Sequence, residues 1–318
     1  MHSQPYKMST INWNGVYPAL LTPFDANDAV DFNMYKKNFD AQVSAGVDGV
    51  IIGGSLGEAS TLLNKEKKDL LIYSKEIAPK NFPVLVNIAE QSTKEAVALA
   101  QEAEANGADG LMLLPPMRYK SSDEETVAFF RSVATNCGLP ILIYNNPVDY
   151  KIEVTLAMFE QMTSLPTVQA VKESTRDTIN VTRMLNRFGD RFKILTGVDP
   201  LALESLVLGA HGWVAGLVDA FPRETVAIFK LVKAGRIQEA LTIYRWFMPL
   251  LELDIHPKLV QYIKLAATAT GIGSEYVRQP RLPLSGAELA QVQKVIKDAL
   301  AVRPTLPDYL HLTPLEYA

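Results

Sequence analysis

Eight short apolar segments, each followed by a helical pattern, constrain the fold of this 318-residue chain more than any other feature. They are residues 15–23, 46–55, 83–89, 107–116, 139–147, 168–174, 192–199 and 209–216. Most are continuously apolar, which is typical of strands that are buried on both faces of a parallel sheet. Eight such units within about 235 residues predict an α/β fold, a (β/α)8 TIM barrel, rather than an open doubly wound sheet.

The predicted helices between these strands carry boundary signals. Ser92 and Ser122 each stand three residues before a Glu, which predicts a capping box at the start of two helices. Asp199, which precedes a proline, is predicted to be a third N-cap. Gly46 and Gly138 are predicted to end helices in the left-handed conformation.

After the eighth strand the pattern becomes purely helical. Helices are predicted at 236–253, 257–270 and 286–300, with a proline-bearing link at 277–286. These helices exceed what a barrel requires. We therefore divide the chain into a catalytic barrel, residues 1–235, and a C-terminal helical extension, residues 236–318.

Composition and short motifs narrow the class of protein. The net charge of −4 does not indicate nucleic acid or an anionic membrane as a partner. Cys137 is the single cysteine and is interpreted as a buried thiol, and the four histidines are scattered, so a metal site is not indicated. No strand leads into a G-x-G-x-x-G turn. Residues 1–13 lack the apolar stretch of a signal peptide, and a cytoplasmic location is expected.

Lys172 interrupts the sixth apolar segment, where a buried strand should contain no charge. Burial of an ammonium group is costly and lowers its pKa, and a neutral lysine is a competent nucleophile toward a carbonyl, with which it forms a Schiff base. The alternative is a structural lysine that pairs with a carboxylate. Its neighbour Glu173 is a poor candidate, because adjacent strand residues point to opposite faces.

Tyr144 ends the fifth strand, at the same end of the barrel as Lys172 on the neighbouring sixth strand. The phenol and the amine are therefore predicted to approach each other inside the barrel. Formation of a Schiff base requires proton transfer, which a positioned tyrosine hydroxyl can provide.

The loop after the second strand contains a candidate anion site. Ser55 and the backbone amides that follow are predicted to open the second helix, where N–H groups and the helix dipole favour a carboxylate. Together with the amine and the phenol, this site suits a 2-oxo acid or a cyclic imine derived from one. Glu58 is a possible general base, but we interpret it as stabilising the first turn of that helix.

These stretches together resemble the dihydrodipicolinate synthase / N-acetylneuraminate lyase family of class I aldolases. The resemblance rests on "GGSLGEAS", "YNNP", "VKEST", "GVD" and "GAHGWVAG", in this order and spacing, and it covers nearly the whole chain. It implies a homotetramer built as a dimer of dimers, with no metal or organic cofactor. It also implies that Lys172 forms the Schiff base and that Tyr144 transfers protons. The predicted substrate-binding residues are Gly54, Ser55, Leu56, Asp149, Gly197 and Val214.

Three departures from this family pattern concern the substrate. Two threonines of the synthases are replaced by Ser55 and Leu56, and the relay tyrosine that the synthases receive from a neighbouring subunit matches Met117. Tyr119, two residues later, is a possible replacement. The synthases also place an arginine after Y-N-x-P, where this chain has Asp149, and a carboxylate there repels a second carboxylate.

The motifs resemble most a branch of the family that is associated with hydroxyproline catabolism. The predicted activity is deamination of 1-pyrroline-4-hydroxy-2-carboxylate to 2,5-dioxopentanoate and ammonia. A pyruvate-dependent aldolase or a 2-keto-3-deoxy sugar acid dehydratase is the first alternative, and dihydrodipicolinate synthesis is the next. The non-enzymatic alternative is a family member that binds a 2-oxo acid without catalysing a reaction.

Overall fold

A computed structural model describes residues 11–315 of the chain. Most of the N-terminal segment interpreted above, including His2, lies outside these residues. The strands are β1 (Val16–Pro18), β2 (Val50–Ile52), β3 (Val84–Ile88), β4 (Gly110–Leu113), β5 (Ile141–Asn145), β6 (Val168–Glu173), β7 (Lys193–Thr196) and β8 (Gly212–Ala215). The helices are α1 (Phe32–Ala45), α2 (Asn64–Ile77), α3 (Thr93–Ala105), α4 (Asp123–Asn136), α5 (Pro147–Tyr150), α6 (Leu156–Met162), α7 (Ile179–Phe188), α8 (Ala202–Val207), α9 (Pro222–Lys233), α10 (Ile237–Leu251), α11 (Leu259–Ala269) and α12 (Gly286–Ala301).

The strands form a closed parallel barrel, as predicted. They pair in the order β1-β8-β7-β6-β5-β4-β3-β2, and every pairing is parallel. A parallel bridge between Ala19 and Ile51 closes the ring, and the N–H of Leu20 donates to the carbonyl of Ile51 at 2.9 Å. Side chains of the strands are buried on both faces, which explains why their sequences do not alternate. The predicted (β/α)8 barrel is confirmed.

The helix boundaries follow the sequence signals with one exception in this group. Ser92 and Ser122 accept hydrogen bonds from the N–H groups three residues later, as N-caps do. Gly46 ends α1 with φ of 88°, the left-handed conformation that favours glycine. Gly138 is the exception, because α4 ends at Asn136 and its C-cap residue is Cys137, whose extended conformation with φ of −141° leads toward β5.

The helical extension agrees closely with its prediction. Helices α10, α11 and α12 begin and end within two residues of the predicted bounds. A 3-10 turn, Glu252–Ile255, links α10 to α11, and α11 is buried from Val260 to Ala267. Because α9 and α10 pack directly against each other, the division at residue 235 stays a prediction. No helix of residues 11–315 is long and apolar enough to cross a membrane.

Candidate active site

A cavity of about 490 Å³ opens at the carboxyl end of the barrel strands. Its wall combines residues of the strand ends with residues of the extension. The polar and charged side chains in the wall are Ser55, Tyr144, Asn146, Asp149, Tyr150, Lys172, Ser174, Arg176, Asp254 and His256. Catalytic residues of TIM barrels come from this end of the strands, so the cavity is the candidate active site.

Lys172 lies in the wall of this cavity, next to Tyr144. The two residues are partners in the register of β6 and β5. Lys172 is only 7% exposed, and its Nζ lies 4.1 Å from the centre of the Tyr144 ring. Burial lowers the pKa of Lys172, and Asp254 would oppose this shift only in its ionised form. The environment thus favours the neutral amine, which is the nucleophilic form.

The alternative interpretation of Lys172, a structural ion pair with its neighbour, is not realised. Glu173 points out of the barrel, where it accepts hydrogen bonds from Thr175 N at 2.8 Å and Asn180 Nδ2 at 2.7 Å. The buried lysine that does pair with a carboxylate is Lys264 of α11. Adjacent strand residues point to opposite faces, which explains why Glu173 does not pair with Lys172.

The hydroxyl of Tyr144 is oriented by an amide that also holds Asp149. Asn146 Nδ2 donates to Tyr144 Oη at 3.1 Å and to Asp149 Oδ2 at 2.7 Å. Burial raises the pKa of Tyr144, so the phenol is neutral at pH 7. Because its oxygen already accepts a hydrogen bond, its own proton remains available to a bound substrate.

The loop after β2 differs from its prediction. Residues 55–61 form turns and α2 begins only at Asn64, so Ser55 does not open the second helix. Within residues 11–315, the N–H groups of Ser55, Leu56 and Gly57 donate no backbone hydrogen bond. Three adjacent free donors still make a suitable anion site, although no helix dipole contributes to it.

Ser55 has a partner that sequence reasoning missed. Its hydroxyl is hydrogen-bonded to the hydroxyl of Tyr150, the last residue of α5. The Tyr150 ring packs edge-on against Tyr144, with 5.6 Å between the ring centres. Tyr150 therefore connects the anion site to the phenol beside Lys172. The signal was present, since Tyr150 directly follows Asp149 in "YNNPVDY".

The interpretation of Glu58 as a residue of the first helical turn is wrong. Glu58 is fully buried with φ of 59°, and its Oε1 accepts a hydrogen bond from Lys264 Nζ. Its Oε2 accepts a hydrogen bond from Arg278 N at 3.2 Å. Glu58 thus fastens the β2 loop to the extension. Its partners lie more than 200 positions away in the chain, so no local pattern indicates them.

The predicted glycines play different parts. A methyl group built at Gly197 would lie 2.3 Å from Ser174 Oγ and 2.6 Å from Lys172 Cε, so only glycine leaves room for the lysine side chain. Leu56, Val214 and Gly197 all line the cavity. Gly54 does not line it, and its part in substrate binding stays a prediction.

Asp199 is not a helix N-cap, contrary to its prediction. The carboxylate is fully buried and accepts hydrogen bonds from Trp213 Nε1 at 2.9 Å and Leu217 N at 2.7 Å. The N–H of Gly216 donates to the same carboxylate at 3.1 Å. These donors follow or belong to β8, so the Asp199 side chain joins the ends of β7 and β8 instead of capping a helix, although Asp199 is the first residue of the 3-10 turn that leads into α8.

Two further charged residues of the wall escaped sequence reasoning. Arg176 follows β6 and has no ion-pair or hydrogen-bond partner among the described residues. The wall therefore contains an unpaired cation, although Asp149 stands where the synthases have an arginine. "VKESTRD" contained this signal. Asp254 comes from the 3-10 turn of the extension, and no sequence motif marks it.

Neither proposed match to the relay tyrosine reaches the cavity of its own chain. Met117 is half-buried and packs against the core, whereas Tyr119 is 57% exposed. Cys137 lies outside the cavity as well, and burial raises the pKa of its thiol to about 11. In the part of the chain that the structure describes, no group of three His, Cys, Asp or Glu side chains could hold a metal ion.

Comparison with known proteins agrees with this geometry. The model of the dihydrodipicolinate synthetase family matches residues 12–299. The chain belongs to this family. A 4-hydroxy-tetrahydrodipicolinate synthase of Acidiphilium cryptum is 30% identical over 284 residues, which cover 88% of this chain and 96% of that protein. An uncharacterised DapA-like lyase of Rhizobium meliloti is 28% identical over 292 residues, covering 90% of this chain and 96% of that protein.

Solved structures of dihydrodipicolinate synthetase family members give the same result for the fold. The 4-hydroxy-tetrahydrodipicolinate synthase of Methylacidiphilum fumariolicum superposes with a TM-score of 0.85 at 27% identity. The match covers 91% of this chain and 97% of that chain. At this level the chain is an aldolase-type lyase of the dihydrodipicolinate synthetase family.

Proposed function

We propose that this family member is a Schiff-base lyase that deaminates 1-pyrroline-4-hydroxy-2-carboxylate to 2,5-dioxopentanoate and ammonia. Lys172 is the nucleophile and Tyr144 transfers protons. The observation that carries the proposal is the buried Lys172 amine, 4.1 Å from the centre of the Tyr144 ring, with Asp149 held beside that phenol through Asn146.

The substrate carboxylate binds at the β2 loop. The free N–H groups of Ser55, Leu56 and Gly57 supply donors, and the Ser55 hydroxyl adds another. Val214 and Gly197 form the apolar wall against the ring carbons. With the carboxylate bound there, we expect C2 of the substrate to lie within reach of Lys172.

Asp149 sets the choice among substrates. Its carboxylate faces the cavity and is fixed by Asn146. A second carboxylate on the substrate is repelled by this charge, whereas a cationic nitrogen is attracted. Opening of a pyrroline ring creates such a nitrogen. The charge of Asp149 therefore favours the cyclic imine over a dicarboxylate product.

The reaction balances with water alone. Lys172 adds to C2 and the ring nitrogen leaves C2 with the electron pair of the broken bond, which gives a lysine Schiff base and an open-chain amine. Loss of a proton at C3 and of the 4-hydroxyl removes one water. A double-bond shift then forms an imine at C5. Hydrolysis of this imine releases ammonia, hydrolysis of the lysine Schiff base releases the product, and these two steps consume two waters.

Borohydride reduction in the presence of the hydroxypyrroline or pyruvate, followed by mass mapping, tests the shared chemistry. We expect an adduct on Lys172 and none on Lys264, which is also buried but is paired with Glu58. The Lys172→Met variant should give no adduct. An enzyme that gives no Lys172 adduct with either ligand contradicts the Schiff-base assignment.

The substrate is tested by two assays with the same preparation. Ammonia release from the hydroxypyrroline is expected, and condensation of pyruvate with aspartate semialdehyde is not. Asp149→Ala should impair ammonia release more than it impairs the pyruvate adduct. Equal losses would identify Asp149 as structural, and condensation without ammonia release would replace this substrate with that of the synthases.

4-Hydroxy-tetrahydrodipicolinate synthesis is the second candidate, since relatives carry that name and Arg176 supplies a cation in the wall. Arg176→Ala separates the two. It should abolish a condensation that requires a second carboxylate and leave ammonia release close to wild type. The remaining expectations, a homotetramer, a cytoplasmic location and the absence of an organic cofactor, belong to the same proposal.

A further inference from the structure

Asp254 brings a carboxyl group from the extension into the candidate active site. It lies in the 3-10 turn Glu252–Ile255 and lines the cavity that also contains Lys172. Of the acidic groups near Lys172, Asp254 would in its ionised form oppose the lowering of the amine pKa the most. A residue of the helical extension is therefore part of the surroundings of the proposed nucleophile.

The position of this carboxyl depends on a glycine at the end of β8. A methyl group built at Gly216 would lie 2.3 Å from Asp254 Oδ1 and 3.2 Å from its Cγ. Any larger residue at position 216 would displace the carboxyl. Glycine at position 216 thus leaves the room that Asp254 needs to lie at the cavity.

Asp254 forms few interactions that would stabilise the fold. Its one recorded hydrogen bond among the described residues comes from Asp199 N at 3.5 Å, which is a long contact, and no cation pairs with it there. Asp199, in contrast, is saturated by Trp213 and the backbone after β8. A carboxyl that faces a cavity without a firm partner is available to a ligand.

The surroundings of Asp254 favour its protonated form. Burial raises its pKa well above the usual range, and the neighbouring Asp199 carboxylate adds to this shift. Burial lowers the pKa of Lys172 at the same time. Both shifts favour the neutral forms, which are the forms that a nucleophile and a general acid require.

We propose that Asp254 is the general acid that expels the hydroxyl group of the substrate bound to Lys172. The proposal rests on the proposed function. In this step the nitrogen lone pair of the Lys172 enamine re-forms the C=N bond, and the C2=C3 electron pair becomes C3=C4. The C4–O electron pair leaves with the oxygen, which takes the Asp254 proton and departs as water. Solvent then returns a proton to the Asp254 carboxylate.

Asp254→Asn tests this assignment, with Glu252→Gln as the matched control. Glu252 is an exposed acid in the same turn and does not line the cavity. We expect Asp254→Asn to slow ammonia release from the hydroxypyrroline by about 100-fold or more, the usual contribution of a general acid. The borohydride adduct of pyruvate on Lys172 should still form. Glu252→Gln should match the wild type in both assays.

Gly216→Ala provides a second route that keeps the carboxyl but moves it. It should lower the elimination rate while the Lys172 adduct with pyruvate persists. Ammonia release at the wild-type rate in both Asp254→Asn and Gly216→Ala overturns the inference. A parallel loss of adduct and elimination in Asp254→Asn overturns it too, since Asp254 would then only support the fold.

A pH profile distinguishes acid catalysis from simple positioning. The elimination rate of the wild type should fall as pH rises through the pKa of Asp254, and this alkaline limb should be absent in Asp254→Asn. The other titratable groups that face Asp254 or line the same cavity are Lys172, Tyr144, Asp149, Tyr150, Arg176, Asp199, Asp219 and His256. If the variant keeps the same alkaline limb in its pH profile, that limb belongs to one of these other groups, and the acid role of Asp254 is contradicted.

A second substrate separates the failure of this inference from the failure of the proposed function. If the wild type releases no ammonia from the hydroxypyrroline, the proposed function is wrong, and the same variants are compared on water loss from a 2-keto-3-deoxy sugar acid. The expected 100-fold loss in Asp254→Asn then supports the acid role by itself. A wild type that eliminates from neither substrate overturns both.

Discussion

Lys172 and Lys264 are both buried lysines, but their surroundings indicate different roles. Lys264 is fully buried, donates to Glu58 and Tyr276 O, and burial lowers its pKa to about 8 although Glu58 opposes the shift. Lys172 forms no ion pair with any of residues 11–315 and opens onto the cavity. A buried lysine alone is thus a weak indication of catalysis, and its partner decides the interpretation.

The lowered pKa of Lys172 gives a pH dependence with a defined sign. Only the neutral amine attacks a carbonyl, so adduct formation with pyruvate should rise as pH increases through the pKa of Lys172. The midpoint should lie below the usual value of about 10.4 for lysine. Mass spectrometry of the reduced adduct across this range measures it. A midpoint at or above the usual value contradicts the predicted effect of burial.

Tyr150 should contribute to proton transfer through its hydroxyl. Tyr150→Phe removes the hydrogen bond to Ser55 and keeps the ring packed against Tyr144. We expect turnover to fall by about 100-fold with little change in the melting temperature. Tyr119→Phe is the control, because Tyr119 is exposed and outside the cavity. If Tyr119→Phe is impaired and Tyr150→Phe is not, the relay passes through Tyr119.

At the level of elements, the strands and the extension could be predicted from sequence because their signals are local. Apolar runs mark β1 to β8, and the same runs place Tyr144 and Lys172 at one end of neighbouring strands. The start of α2 was missed because "SLGEAS" resembles a capped helix although it folds as turns. Asp254 and the partner of Glu58 were missed because only packing of the extension brings them to the barrel.

The contact between α11 and the β2 loop should depend on the buried Glu58–Lys264 pair. Glu58→Gln leaves the Lys264 ammonium buried without its counter-charge, and the free energy of unfolding should fall by about 3–5 kcal/mol. Adding Lys264→Met should restore a large part of this loss. Chemical denaturation measures both variants.

The exposed pair of Lys65 and Asp69 is the matched comparison for this prediction. Its removal should change the free energy of unfolding very little, because solvent screens surface ion pairs. If Glu58→Gln behaves like the removal of this surface pair, the extension is held by other contacts.

At the scale of the whole molecule, the prediction is a homotetramer. The isolated chain exposes large apolar side chains, among them Leu63 and Tyr119 at 68% and 57%. Covering such surface stabilises an assembly by about 25 cal/mol per Å². Light scattering should give four times the chain mass, and Tyr119→Glu should shift the protein toward smaller species. A monomer at micromolar concentration contradicts the prediction.

The buried pair of Glu58 and Lys264 also has a consequence for the order in which the enzyme matures. A ribosome completes β6, with its reactive lysine, well before it adds Asp254 and the helix that carries Lys264. A nascent barrel therefore holds the amine before it holds the carboxyl and the covering helix. If the proposed function holds, we expect turnover to begin only after the extension has been translated.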